Sequence, residues 1–193
     1  MPTLEFFYDF VSPYSYLAST RVEAVAARTG AALRWRPFLL GGVLKATGNR
    51  APIETVAKGR HMWIDLERWA RRLDVPFRRP TTFPFSSILA LRTALAVPAA
   101  DLPRATHALF RAAWADGRDV ADPAVLRRVL EEAGLDGAAL VEAAPGQKEA
   151  LAAQTQEAVD RGTYGAPTFL VGPELFVGND RLDFVEEALR SPR

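Results

Sequence analysis

Apolar residues recur at every second position near the start of the chain. Leu4, Phe6, Tyr8 and Phe10 alternate with Glu5 and Asp9. That period predicts a β-strand. Phe7 makes the second face apolar too, so the strand is expected to be covered on both sides. The period then lengthens. Leu17, Val22, Val25 and Ala26 form a helical stripe after Pro13, and Gly30 is the expected stop. Leu33, Trp35 and Pro37 alternate with Arg34 and Arg36, which predicts a second strand. Strand, helix and strand with short joints make a βαβ unit, whose crossover is nearly always right-handed.

From Gly41 the pattern changes. "GGVLKATGNRAP" reads as a loop, with glycine, asparagine and proline. Helical signals follow for over a hundred residues. Val56, Met62, Trp63, Leu66, Trp69, Ala70 and Leu73 keep a 3.6-residue rhythm. A proline-rich stretch, "RRPTTFPFSS", interrupts it. Further helices are expected over Ser87 to Ala96, after Asp101 and Asp122 as N-caps, near Ala138 to Ala144, and over Lys148 to Val159. "GAPTFLV" and "ELFV" then flank the turn dipeptide Gly172-Pro173, and Asn179 or Asp180 is expected to cap a closing helix. Two strands at each end with helices between predict an α/β chain with one split sheet. The expected boundaries are 1–40 with 160–193 for the sheet domain and 41–159 for a large all-helical insertion domain.

Composition narrows the chemistry. The 193 residues include no cysteine, which removes disulfides, thiolate metal sites and any thiol nucleophile of the protein's own. The two histidines, His61 and His107, do not suggest a zinc site, and no metal is expected. A net charge of +1 advertises no broad surface for nucleic acid. No apolar run approaches the roughly 20 residues that span a bilayer, so no membrane partner is expected. The opening "MPTLEFFYDF" lacks the pattern of a secretory signal, and a cytoplasmic location is expected.

The joint between the first strand and helix, "SPYS", holds hydroxyls at Ser12 and Ser15. Ser12 suits a helix N-cap, and Pro13 suits the first helical position. The same turn gathers free N–H groups and the positive end of the helix dipole, which favour an anion. A hydroxyl there could instead donate to a thiolate supplied by a ligand. A hydrolase nucleophile is disfavoured, because both imidazoles fall in predicted helices and no G-x-S-x-G turn exists. Pro167, after Ala166, marks either a strand edge or a cis bond that leaves neighbouring backbone groups open to a peptide-like ligand. Asn179 and Asp180 either cap the last helix or hold an amino-acid head group.

Taken in order, S-P-Y-S, T-G-N, G-A-P-T-F and G-N-D-R-L resemble the 2-hydroxychromene-2-carboxylate isomerases over essentially the whole chain. These are relatives of the kappa-class glutathione transferases in the DsbA-like branch of thioredoxin folds. The resemblance implies a thioredoxin-like split sheet with a helical insertion. Ser12 and Ser15 then stand where redox relatives carry C-x-x-C. It implies glutathione as cofactor, with Ser12 bonding its sulfur and Pro13 and Tyr14 beside it. Asn49 and Lys58 would contact the tripeptide, Lys58 at the glycyl carboxylate. Ala166, before Pro167, would pair with the cysteinyl unit, and Asn179 and Asp180 with the γ-glutamyl end. The implied reaction opens a chromene carboxylate to a benzylidene pyruvate, in a homodimer. Alternatives at the same site are a kappa-type transferase and a non-catalytic glutathione-binding protein. One departure concerns the second substrate: Ser86 stands where the family pattern F-P-x-N-S leads one to expect asparagine. Arg92 is a candidate partner for a substrate carboxylate or a solvated helix residue.

Overall fold

The computed structural model describes residues 1–191. Strands β1 (Thr3–Tyr8), β2 (Ala32–Pro37), β3 (Thr168–Val171) and β4 (Glu174–Val177) form one sheet in the order β2-β1-β3-β4. β1 runs parallel to β2 and antiparallel to β3, and β4 closes a hairpin with β3. Phe6 therefore stands opposite both Trp35 and Phe169. The two ends of the chain meet on β1, as the split pattern of strands predicts.

Helix α1 (Pro13–Thr29) follows β1, and its limits have local causes. The Ser12 backbone is extended, its hydroxyl accepts the Ser15 N–H, and Pro13 opens the helix. Gly30 ends it in the left-handed region at φ 64°, a conformation that costs glycine little. The helices between the strand pairs are α2 (Leu40–Thr47), α3 (Val56–Leu73), α4 (Ile88–Ala96), α5 (Leu102–Trp114), α6 (Pro123–Glu132), α7 (Gly137–Ala143) and α8 (Lys148–Asp160). Helix α9 (Leu182–Arg190) closes the chain.

Both faces of β1 are buried, as Phe7 led one to expect. Phe6 and Tyr8 join a large core with α1, α3 to α6 and α9. Phe7 joins a smaller one with Phe38, Val43, Ala158 and Leu170. That second layer is supplied by α2 and α8. Aromatic rings fill the larger core around the end of β1. Phe6 packs on Phe169 at 5.3 Å, Phe10 packs on Phe110 at 4.9 Å, and Trp114 Nε1 donates to the Phe10 carbonyl at 2.8 Å. The turn that carries Ser12 is thereby anchored to α5.

Several expectations need correction. Gly48 to Ala51 form a loop as expected, but residues 41–47 belong to a helix, not a loop. Its two glycines cost helix propensity, about 1 kcal/mol each. Packing offsets this: Val43 is buried in the second layer, and a Cβ at Gly42 would come within 3.0 Å of Thr155 on α8. Asp122 caps α6 as expected, accepting from the Ala124 and Val125 N–H groups. Asp101 does not cap α5, because its carboxylate pairs with Arg104 instead. Neither Asn179 nor Asp180 caps α9. Both fall in a short 3-10 turn, Asn179–Arg181, that precedes it. Val56, part of the apolar rhythm, stands exposed at the start of α3, while Met62, Trp63, Leu66 and Ala70 carry its buried face.

Candidate functional site

The first turn of α1 faces the loop that enters β3. The Ser12 hydroxyl accepts from the Ser15 N–H at 3.1 Å and donates to the Ala166 carbonyl at 3.2 Å. Several donors of this turn are already committed. The Ser12 N–H bonds the Asp9 carbonyl, and the Val11 N–H bonds the Asp9 carboxylate. Pro13 has no N–H. Among the described residues, the Tyr14 N–H is left without a partner. An anion at this corner would therefore meet one backbone N–H and one hydroxyl, fewer donors than a bare helix start offers.

Beside this corner lies a cleft of about 300 Å³ lined by Tyr14, Asp65, Trp69, Ala166, Gly178, Asn179 and Asp180. A larger hollow of about 640 Å³ runs along β2 but touches none of the candidate site residues. Of the candidate site residues, Tyr14, Ala166, Asn179 and Asp180 line the smaller cleft, whereas Ser12, Pro13 and Pro167 do not. The Tyr14 hydroxyl donates to Asp65 Oδ2 at 3.0 Å. Burial, then the carboxylates of Asp65 and Asp180, push the Tyr14 phenol well above its ordinary range, so it stays protonated. The Asp180 side chain folds back over Gly178, where a Cβ would lie 2.5 Å from Oδ1. Gly178 also holds φ 115°, a conformation that side chains rarely adopt.

Two loops are tied together here. The Pro167 carbonyl accepts from the Gly178 N–H at 3.0 Å, and the Ala166–Pro167 peptide is cis. Asn179 is buried, its carbonyl accepts from Arg21, and its Nδ2 has no partner. A buried donor without a partner is costly, and a ligand acceptor in the cleft would relieve it.

Other predicted residues stand further out. Asn49 is exposed, and its side chain is used internally: Nδ2 donates to the Tyr164 carbonyl at 2.8 Å and Oδ1 accepts from Arg50. It braces the approach to Ala166. Lys58 is exposed on α3 and forms no ion pair among the described residues. It lies seven residues before Asp65, two turns or about 10 Å along the same helix flank. Ser86 is exposed just before α4. Arg92 is half-buried on α4 and lines none of the cavities described above. His107 is engaged by Glu23 at 2.9 Å and stands against Trp35.

Asp65, Trp69 and Gly178 are site residues that the sequence reading missed. Asp65 looks like an ordinary polar position on an amphipathic helix, and Trp69 like part of its apolar stripe. The spacing of Lys58, Asp65 and Trp69 puts them on one flank of α3, but nothing in the sequence says that this flank meets α1.

The arrangement can hold an anion at the α1 start and a cation between Asp65 and Asp180. The described helices include none long and apolar enough to cross a membrane. The DSBA-like thioredoxin domain, as a family, matches residues 3–190. A 2-hydroxychromene-2-carboxylate isomerase from Sphingobium xenophagum is 39% identical over 193 residues, covering 97% of each chain. The chain belongs to this isomerase family of DSBA-like thioredoxin proteins. Glutathione S-transferase kappa 1 of Caenorhabditis elegans is 28% identical, with 100% of this chain and 93% of that one covered. A solved 2-hydroxychromene-2-carboxylate isomerase superposes with a TM-score of 0.88 at 28% identity, over 97% of this chain and 94% of that one. This isomerase-family chain is an enzyme with a DsbA-like split sheet, and both serines of its S-P-Y-S turn lie at the start of α1.

Proposed function

We propose that the chain is a glutathione-dependent isomerase that converts 2-hydroxychromene-2-carboxylate-type substrates to benzylidene pyruvates. The observation that carries this reading is the Ser12 hydroxyl, poised between the α1 start and the Ala166 carbonyl in a chain without cysteine.

The residues present fit glutathione. Asp65 and Asp180 suit the α-ammonium of a γ-glutamyl group, and the unpartnered Asn179 Nδ2 suits its carboxylate. Ala166 offers its carbonyl to a cysteinyl N–H, and exposed Lys58 suits a distal carboxylate. Bound glutathione would supply a thiolate that adds reversibly to the conjugated substrate and leaves unchanged. Ser12 would then turn its proton from Ala166 toward the sulfur, and the Tyr14 N–H would give a second bond. Lowering a thiol pKa by one unit takes about 1.4 kcal/mol of preferential stabilisation. A hydrogen bond to a charged group is worth about 1.5–3 kcal/mol, so these two donors are sufficient.

The likeness to kappa transferases favours a second reading at the same site, in which a stable conjugate forms. One incubation separates them. Protein, glutathione and 2-hydroxychromene-2-carboxylate are mixed, and ring opening and glutathione are both followed. Ring opening with full recovery of glutathione is expected. Stoichiometric loss of glutathione favours the transferase, and no turnover with tight binding leaves a binding protein.

A further inference from the structure

Asp9 follows β1 directly and is completely buried. Among the described residues no cation pairs with it. Instead, three helices begin around it. Its Oδ1 accepts from the Val11 N–H at 3.0 Å, in the turn that leads into α1. Its Oδ2 accepts from the Leu40 N–H at 2.8 Å, the first residue of α2. The Ser87 hydroxyl, at the start of α4, faces it and eases its ionisation. Neither Leu39 nor Ser87 caps its own helix with a side chain. Asp9 thus gives α2 the acceptor that an N-cap would give, from 31 positions away. Its negative charge is spread over helix starts, the ends that favour anions.

The groups facing Asp9 are few. They are the Val11 N–H, the Leu40 N–H from α2 and Ser87 from α4, with Tyr8 as the titratable neighbour on β1. Burial pushes the Asp9 carboxyl up, against the pull of Ser87 and of its two backbone hydrogen bonds. Backbone N–H groups cannot reverse their direction, so a group placed here must accept. The Asp9 carbonyl also takes the Ser12 N–H at 3.0 Å. One residue therefore turns two consecutive amides inward, away from the cleft. What remains for a ligand at this corner is the Ser12 hydroxyl, once turned from Ala166, and the Tyr14 N–H.

We propose that Asp9 is a positioning residue for the thiolate corner: by clasping the Val11 and Leu40 N–H groups it aims the first turn of α1 at the ligand's sulfur. This rests on the reading of Ser12 as the thiolate's partner. The charge of Asp9 taken alone has the opposite effect, because a buried anion near a thiolate raises the thiol pKa. Asp9→Asn separates the two. An amide cannot accept at both ends, so one of the two backbone bonds is lost and the turn shifts, while the charge is removed.

The test is a pH titration of bound glutathione by its thiolate ultraviolet absorbance, in wild type, Asp9→Asn and Ser87→Ala. Circular dichroism reports folding of each. Wild type is expected to hold the thiol pKa below that of free glutathione. Asp9→Asn is expected to raise it by about one unit, a tenfold loss of thiolate at fixed pH. Ser87→Ala keeps the charge, removes the hydroxyl that faces it, and is expected to raise the thiol pKa in the same direction by about half a unit. An unchanged or lowered thiol pKa in folded Asp9→Asn overturns the proposal and leaves the Ser12 reading intact. If Asp9→Asn does not fold, an unchanged value in Ser87→Ala overturns it. A wild-type thiol with no depressed pKa defeats both readings together.

Discussion

The Ser12 hydroxyl and the Ala166 carbonyl, 154 residues apart in the chain, are joined by a 3.2 Å hydrogen bond. A hydroxyl has one proton to give, and here it is spent on the protein itself. On the proposed reading, a ligand sulfur would have to draw that proton away. The same exchange would release the Ala166 oxygen for a peptide N–H of the ligand. One internal bond would be traded for two ligand bonds, making binding and activation of the thiol a single event.

Ser12→Ala tests this trade. The fold loses the bond to the Ser15 N–H, a cap whose removal costs about 1 kcal/mol. Turnover of the chromene carboxylate is expected to fall by about a hundredfold, the scale of losing one donor to a charged reacting group. Thermal denaturation and steady-state kinetics read the two effects. Unchanged kinetics would remove Ser12 from the mechanism.

Asp180→Ala is expected to weaken glutathione binding by about tenfold, or 1.4 kcal/mol, on loss of an ammonium partner. A des-amino analogue of glutathione should bind wild type and variant alike. Titration calorimetry with both ligands checks this, and equal losses would remove Asp180 from ammonium recognition.

Gly178→Ala reaches the same carboxylate from the other side. The new Cβ would sit 2.5 Å from Asp180 Oδ1, on a backbone at φ 115°. The Asp180 side chain must swing away, and the turn before α9 is strained by about 1–3 kcal/mol. Weaker glutathione binding together with a lower melting temperature is expected. A variant with wild-type affinity would show that the folded-back position of Asp180 is not the binding one.

Stability should fall on the alkaline side. Burial pushes the Tyr16 phenol from 10.0 up to about 12, and its hydroxyl donates to the Pro76 carbonyl at 2.6 Å. Tyr8 and Tyr14 are shifted in the same direction, chiefly by burial. Between pH 10.0 and about 12 the unfolded chain releases the Tyr16 proton while the folded chain keeps it. Fewer protons are then bound in the unfolded state, so stability present below pH 10.0 is lost as the pH rises toward 12. Denaturant unfolding across this range should show that slope. Tyr16→Phe should flatten it by up to about 1.4 kcal/mol per pH unit. An unaltered slope would mean that Tyr16 titrates alike in both states.

Periodic patterns made much of this fold legible. The alternation as far as Tyr8, the stop at Gly30 and the cap at Asp122 each depend on neighbours within a few residues, and each stands where the pattern put it; Phe10 lies in the turn beyond the strand. What escaped depends on distant partners. Helix α2 looks like a loop because its glycines are costly locally, and only Thr155 and the second layer explain them. Asp65 enters the cleft because α3 crosses near α1, which spacing along α3 does not reveal. Asn49 was placed beside the ligand by resemblance, yet its amide is tied to Tyr164.

The serines at positions 12 and 15 leave this scaffold with no thiol to oxidise. If its sulfur arrives with glutathione, an oxidant cannot lock the catalyst in a disulfide; it can only drain the pool of reduced tripeptide. Activity would then rise and fall with that pool, and recover as it is replenished, with no thiol of the chain needing repair.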